Sequence, residues 1–414
     1  MKVKLIGIFV CMLLVGTVLP VTGNVIVEKS PLSSINGNTL YVGGSGEGNY
    51  TKIQDAIDNA SDGDTVFVYD DSSPYNEWIE INKVIELMGE NKCNTIILDK
   101  SISISASGVT VSGFSIQGGG IYINSNSNVI YNNNFISYGY QFGWGGISIS
   151  KSIYNTIYDN SFINCGLICG LITFEFENNI YNNTVNGKQL VYLYGVSNRI
   201  FEDVGQVILH SCNNITIKNS FISNLIMGIQ IYESENCFIS DNLFKDVTFF
   251  CLFISNSSYN IITRNYFSDD FIPNLGAGLS LANSNYNTIS RNIFHNAMGN
   301  IYLSNSSDNN IKYNNFHFEK RIVNIFSTES VNNWQGNFWN RPRLLPFFIW
   351  NINPPRIIPS FDIDRRPALT PNNFYHINEN KMTQNVDILE LKILRKNIYW
   401  DMFPILQRIL NYIL

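Results

Sequence analysis

The sequence predicts an all-β chain wound as a right-handed parallel β-helix, and two recurring stretches are the reason. The first is an eight-residue phrase, N-x-I-x-x-N-x-F. It recurs at residues 128–135, 155–162, 178–185, 214–221, 237–244, 260–267, 287–294 and 309–316. Its second Asn advances by 27, 23, 36, 23, 23, 27 and 22 residues, and a degenerate copy at 200–203 divides the long step. The second stretch is Gly-(Ile/Leu)-x-(Ile/Leu), at 146–149, 228–231 and 278–281, with 300–303 as a variant. Both alternate apolar and polar residues between Gly, Asn and Ser, which is the pattern of short strands and tight turns. A fixed period in this range means a solenoid, and two or three short strands per repeat make one rung of a β-helix.

Stacked rungs explain the residue types. Ile130, Ile157, Ile180, Ile239, Ile262, Ile289 and Ile311 are expected in one interior column. Phe135, Phe162, Phe221, Phe244, Phe267, Phe294 and Phe316 form another, with neighbours about 4.8 Å apart. The Asn columns suit a turn that visits left-handed backbone angles, and stacked amides can hydrogen-bond from rung to rung.

The ends are read from composition. Residues 1–23 read as an export signal: Lys2 and Lys4, an apolar core, then a small-residue cleavage region. The apolar run is short for a membrane anchor. Residues 24–39 are a linker, 40–93 an N-terminal cap with the first rungs, and 94–330 the repeats. Residues 331–370 form an irregular cap rich in aromatics and Pro, and 371–414 a linker with an amphipathic helix. That helix, over 388–414, either packs on the solenoid or touches a membrane surface. A net charge of −6 with dispersed Lys and Arg argues against nucleic acid. Six cysteines beyond residue 23 leave disulfide pairing open.

Residues 50–60 form a short helix with Ile53, Ala56, Ile57 and Ala60 on one face and Tyr50 or Thr51 at its start. It would cover the open end of the solenoid. YTKIQDAIDNASDGDTVFV at 50–68, IEINKVIELMGENKCNTIIL at 79–98 and the Asn-rich rungs resemble the NosD-type and carbohydrate-binding/sugar-hydrolase repeat proteins. These are exported right-handed β-helices of archaea and bacteria. The resemblance spans residues 40–340 and implies an exported or cell-surface protein with the pectin lyase-like fold. It also implies copper handling, or binding or cleavage of polysaccharide.

Rung arithmetic then compares outward positions. The position before the second Asn holds Asp159, Lys218, Asp241, Arg264 and Arg291, a charged face on which Arg264 and Arg291 are candidate ligand-binding residues. Three residues after that Asn stand Lys245, Ser268, His295 and His317. His295 and His317, 22 residues apart, fall on neighbouring rungs and are candidate metal ligands. Asp246, Asp269, Asp270 and Glu319 are the candidate catalytic carboxylates, since glycoside hydrolysis needs a pair at a set gap and a lyase could use them to hold calcium. The same residues also serve as ordinary turn formers. Trp334 and Trp339 are candidate sugar-stacking residues, or cap residues buried over the last rung. The reading that results is an exported surface protein binding glycans or partner proteins without catalysis. A polysaccharide lyase or hydrolase is the alternative, and copper handling a third.

Overall fold

In the computed structural model the described residues are 37–138, 145–169, 177–268, 277–295, 299–317, 325–339, 347–351, 360–364 and 366–372. The chain divides into 1–36, outside that set, and 37–414, which holds everything below. The export signal and the helix expected over 388–414 therefore lie outside the described residues.

The fold is the expected one, a parallel β-solenoid of about 12 turns, with one helix among the described residues. In the first half, one wall is a seven-stranded sheet running from Thr39–Val42 to Asn179–Tyr181. A five-stranded wall runs from Ile79–Ile81 to Gly166–Cys169. Register is as the repeats require: Ile130 pairs with Ile157 and Ile157 with Ile180, while Phe135 pairs with Phe162. In the second half Phe244, Phe267, Phe294 and Phe316 stack in turn, with ring centroids 5.0, 4.7 and 5.0 Å apart. All are fully buried.

Two columns differ from the expectation. Ile217 pairs with Ile239 and Ile222 with Phe244, so the copy at 214–221 is displaced by one residue. Ile222, not Phe221, enters the core column, and Asn219, not Lys218, takes the charged corner position. A slip of one residue exchanges the two faces of a strand, so the apolar requirement at Ile217 and Ile222 outweighs the match of the Asn. Second, the ladder Asn residues are not the left-handed ones. The positive φ belongs to the residue before each: Asp159, Asp241, Arg264, Arg291 and Tyr313 before the second Asn, at 55–59°.

The Asn side chains instead form continuous ladders. Asn265 shows the unit. Its Oδ1 accepts from the N–H and Nδ2 of Asn242 at 3.1 and 3.0 Å. Its Nδ2 donates to the carbonyls of Ile239 and Thr263 and to Asn292 Oδ1. The ladder runs on through Asn292, Asn314 and Asn337. A parallel one passes through Asn260, Asn287, Asn309 and Asn332. A third uses Ser234, Ser257, Ser284 and Ser306, each hydroxyl accepting from the N–H of the preceding rung's residue and donating to the carbonyl two residues back. Every corner thus satisfies its inward backbone donors without water.

Residues 332–339 continue the repeat rather than break it. Trp334 pairs with Ile311 and Trp339 with Phe316, so NNWQGNFW is a further copy with Trp in both apolar columns. Asp364 then ends the ladder that runs through Asn265 and Asn337. Its buried carboxylate accepts from the N–H of Gly336, Asn337 and Arg366, from Asn337 Nδ2 and from Trp339 Nε1, all at 3.0–3.2 Å. A carboxylate suits this end because it only accepts, and five donors converge there.

At the other end the helix Ile53–Asn59 buries Ile53, Ala56 and Ile57 over the first rungs. Its N-terminus is capped by Glu77 from a neighbouring loop, which accepts from the N–H of Ile53 and Gln54 at 2.9 and 3.0 Å, and not by Tyr50 or Thr51. Where the two halves meet, Gln206 bonds the backbone of Leu167 in both directions, at 2.9 and 2.8 Å. Gln230 and Tyr232 reach Leu167 and Cys169. These side chains seal the last edge of the five-stranded wall. The cysteines at 165, 169, 212, 237 and 251 are buried, and Cys93 is exposed.

Two predictions follow from the ladders. Asn265→Ala strands several buried donors and costs about 2–3 kcal/mol, measured by urea unfolding. Asp364→Asn turns two donors toward Asn337 and Trp339, and hydrogen exchange over 333–339 accelerates while exchange over 129–163 stays unchanged.

Candidate functional site

Two surfaces carry the candidate residues. The first follows the six-stranded wall of the second half, where Lys245, Ser268, His295 and His317 are consecutive register partners, as the rung arithmetic requires. The imidazoles of His295 and His317 are 6.0 Å apart, edge to face. Tyr266 Oη lies 3.4 Å from His295 Nδ1, and Phe338 packs against His317. Burial, then the neighbouring His295, holds His317 below the usual histidine pKa. Asp246 is half-buried at a left-handed turn position, φ 52°, with its N–H donating to Ser268 O. Asp269, Asp270 and Glu319 lie outside the described residues. Among the described residues no third His, Cys, Asp or Glu joins the histidine pair as a ligand group. Among the described residues the two imidazoles fall short of the donor set that a copper or calcium site needs.

The tryptophans are not a sugar platform. Trp334 is 3% and Trp339 0% exposed. Trp339 stacks on Phe316 at 4.6 Å and donates to Asp364, and Trp334 packs against it. The apolar columns beneath them draw both indoles inward, and no ring face remains for a ligand.

The second surface is the outer wall of rungs 259–264, 286–291 and 308–313. Tyr259 and Tyr286 stand at one corner, each before a ladder Asn, with φ of 61° and 58°. Their rings are parallel, 5.4 Å apart, and about half exposed. Left-handed backbone costs a side-chain-bearing residue roughly 1–2 kcal/mol, and Asn or Gly fills such corners more cheaply. The two tyrosines held there meet each other ring to ring and leave about half of their surface open. Between the corners run Ile261, Thr288 and Asn310, then Thr263, Ser290 and Lys312. The far corner stacks Asp241, Arg264, Arg291 and Tyr313, linked by Arg264 N–H to Ser290 O and Arg291 N–H to Lys312 O. Arg264 grips Asp241 with two hydrogen bonds at 2.6 and 2.7 Å, which raise its pKa further. Arg291 is exposed. Sequence reading found the arginines by rung arithmetic and missed the tyrosines, although Tyr before the first Asn of a phrase was visible at 154, 259 and 286.

A third cluster brings together the residue types of a catalytic triad. Ser211 Oγ lies 3.3 Å from His210 Nδ1, and His210 Nε2 lies 3.3 Å from Glu233. The nearby N–H groups of Ser211, Cys212, Asn213 and Asn214 all donate to Tyr232, Ser234, Val196 and Glu235, so none is left for an oxyanion. Desolvation lowers the pKa of His210 against an opposing pull from Glu233.

Both depressed histidines predict pH dependence with one sign. Below the usual pKa of 6.5 the unfolded chain takes up protons that the folded chain refuses. Stability is therefore full above that value and falls as pH drops through it. Denaturant midpoints between pH 7.5 and 5 should fall, and a His210→Asn/His317→Asn variant should show a flatter slope.

Three solved structures are similar to the chain. They are the DFA-IIIase of Arthrobacter chlorophenolicus A6, a mannuronic acid specific polysaccharide family 6 lyase from human gut microbiota, and the A-module of the Azotobacter vinelandii mannuronan C-5 epimerase AlgE4. Identities are 11%, 10% and 10%, with 73%, 73% and 78% of this chain covered and 87%, 86% and 92% of theirs. Each TM-score is 0.26, and these likenesses do not bear on chemistry. No curated protein matches the chain. Residues 193–344 match the family model described as periplasmic copper-binding protein (NosD), so these rungs are NosD-like within a right-handed parallel β-helix.

Proposed function

We propose that the protein works outside the cytoplasm as a non-catalytic β-helix that binds glycan through the tyrosine wall of its second half. One observation carries the reading: Tyr259 and Tyr286 are exposed, stacked, and held at backbone angles that disfavour them. Strain at a surface position, with no buried contact to explain it, points to use by a ligand. Tyrosine suits a sugar because the ring gives an apolar face and the hydroxyl a hydrogen bond. Between the corners at Tyr286 and Arg291 the strand Thr288–Ser290 extends over three residues, about 10 Å, so one rung presents a short flat strip to a sugar chain. The periplasmic description of the NosD family supports an extracytoplasmic setting.

The test is retention on affinity gels containing neutral and acidic polysaccharides, with reducing ends assayed in parallel. The wild-type chain is expected to be retarded without releasing new ends. Tyr259→Ala/Tyr286→Ala should weaken retention about tenfold, the loss of roughly 1–1.5 kcal/mol of ring contact, with the fold intact. Product release by the wild type, or unchanged retention in the double variant, removes the reading.

A further inference from the structure

The far corner of the same wall has a chemistry that the tyrosines do not explain. In a chain of net charge −6, Arg264, Arg291 and Lys312 fall on three consecutive rungs of one outer wall. Asp241 neutralises Arg264 through the bidentate pair. Arg291 and Lys312 make no ion pair among the described residues, which leaves two positive charges one rung apart. Arg291 is held by its N–H bond to Lys312 O at 3.3 Å. Arg264, anchored by Asp241, stands below Arg291, and Tyr313 stands above it over Gly336, where a Cβ would come within 2.7 Å of the ring. Ser290 and Thr263 add hydroxyls beside the cations, with their Oγ atoms 3.4 Å apart.

We infer that this corner selects the charge of the ligand, so that the polysaccharide lying on the tyrosine wall is anionic, carrying carboxylate or sulfate groups. The inference rests on the glycan reading above and adds the class of sugar. A ring seated on Tyr259 and Tyr286 places later units of the same chain beside Arg291 and Lys312. Guanidinium there offers a planar fork to carboxylate or sulfate, and the ammonium a second contact one strand spacing away. Arg264 contributes less, because its fork is already filled by Asp241. Arg291 is exposed and Lys312 half-buried, so the selectivity they give weakens with salt.

The experiment compares four probes on affinity gels at low and high salt: dextran, dextran sulfate, polygalacturonate and carboxyl-reduced polygalacturonate. Wild type is expected to bind polygalacturonate or dextran sulfate at least tenfold more tightly than the matched neutral polymer, with the preference shrinking in salt. Which anionic polymer leads separates a carboxylate ligand from a sulfated one. Arg291→Ala/Lys312→Ala should remove most of that preference while leaving dextran binding alone. Lys151→Ala/Arg199→Ala, which removes two exposed cations elsewhere, should leave it intact. Equal binding of charged and neutral polymers, both lost in Tyr259→Ala/Tyr286→Ala, overturns the anionic ligand and keeps the glycan site. An anion preference that Arg291→Ala/Lys312→Ala does not change, or that the control variant removes equally, also overturns it. Retention of no polymer at all removes the glycan reading itself.

Discussion

The fold depends on how the corners satisfy their backbone. Each rung turns the chain inward, which buries N–H groups that no strand can reach, and an unpaired buried donor is costly. The Asn and Ser ladders meet those donors with side chains that repeat once per rung, so each amide stabilises the corner below and is stabilised by the one above. Such a ladder has no internal terminus and must end on a different group. Asp364 ends one of them, which is why a strand so late in the chain is tied to the rungs. The same coupling makes the solenoid quasi-one-dimensional, with local damage felt mainly by adjacent rungs.

Stacked phenylalanines and isoleucines supply the apolar burial, but they leave the outer surface undetermined. What the wall displays is set at the residue before each ladder Asn, where the backbone is left-handed whatever the side chain. Most corners spend this position on Asn, Asp or Ser. The corners at Tyr259, Tyr286, Arg264, Arg291 and Tyr313 do not, and these five share one wall of the second half, while Tyr154 takes the same kind of corner on a rung of the first half. Rung stacking places a ring pair at one edge of a strip and cations at the other, so the proposed binding surface is built mainly from turn positions.

The histidine pair shows the converse. Register brings His295 and His317 together as surely as it brings the arginines, yet among the described residues no further ligand group joins them. The pair sits against Tyr266 and Phe338, and burial favours the neutral imidazole of His317. Similarity of residues 193–344 to a copper-binding family fits this stretch of rungs without completing a ligand set among the described residues.

The repeat by itself determined the solenoid, the core columns through Ile and Phe, and the neighbouring placement of His295 with His317, because a period fixes which distant residues share a column. It did not determine register where the phrase was ambiguous. At 214–221 two adjacent readings of the letters were open, and only packing of Ile217 and Ile222 chose between them. Nor could it decide whether Trp334 and Trp339 face sugar or core, since indole serves both, until the columns beneath drew them inward. The strained tyrosines were equally hidden, because a left-handed angle belongs to the turn and not to the residue that occupies it.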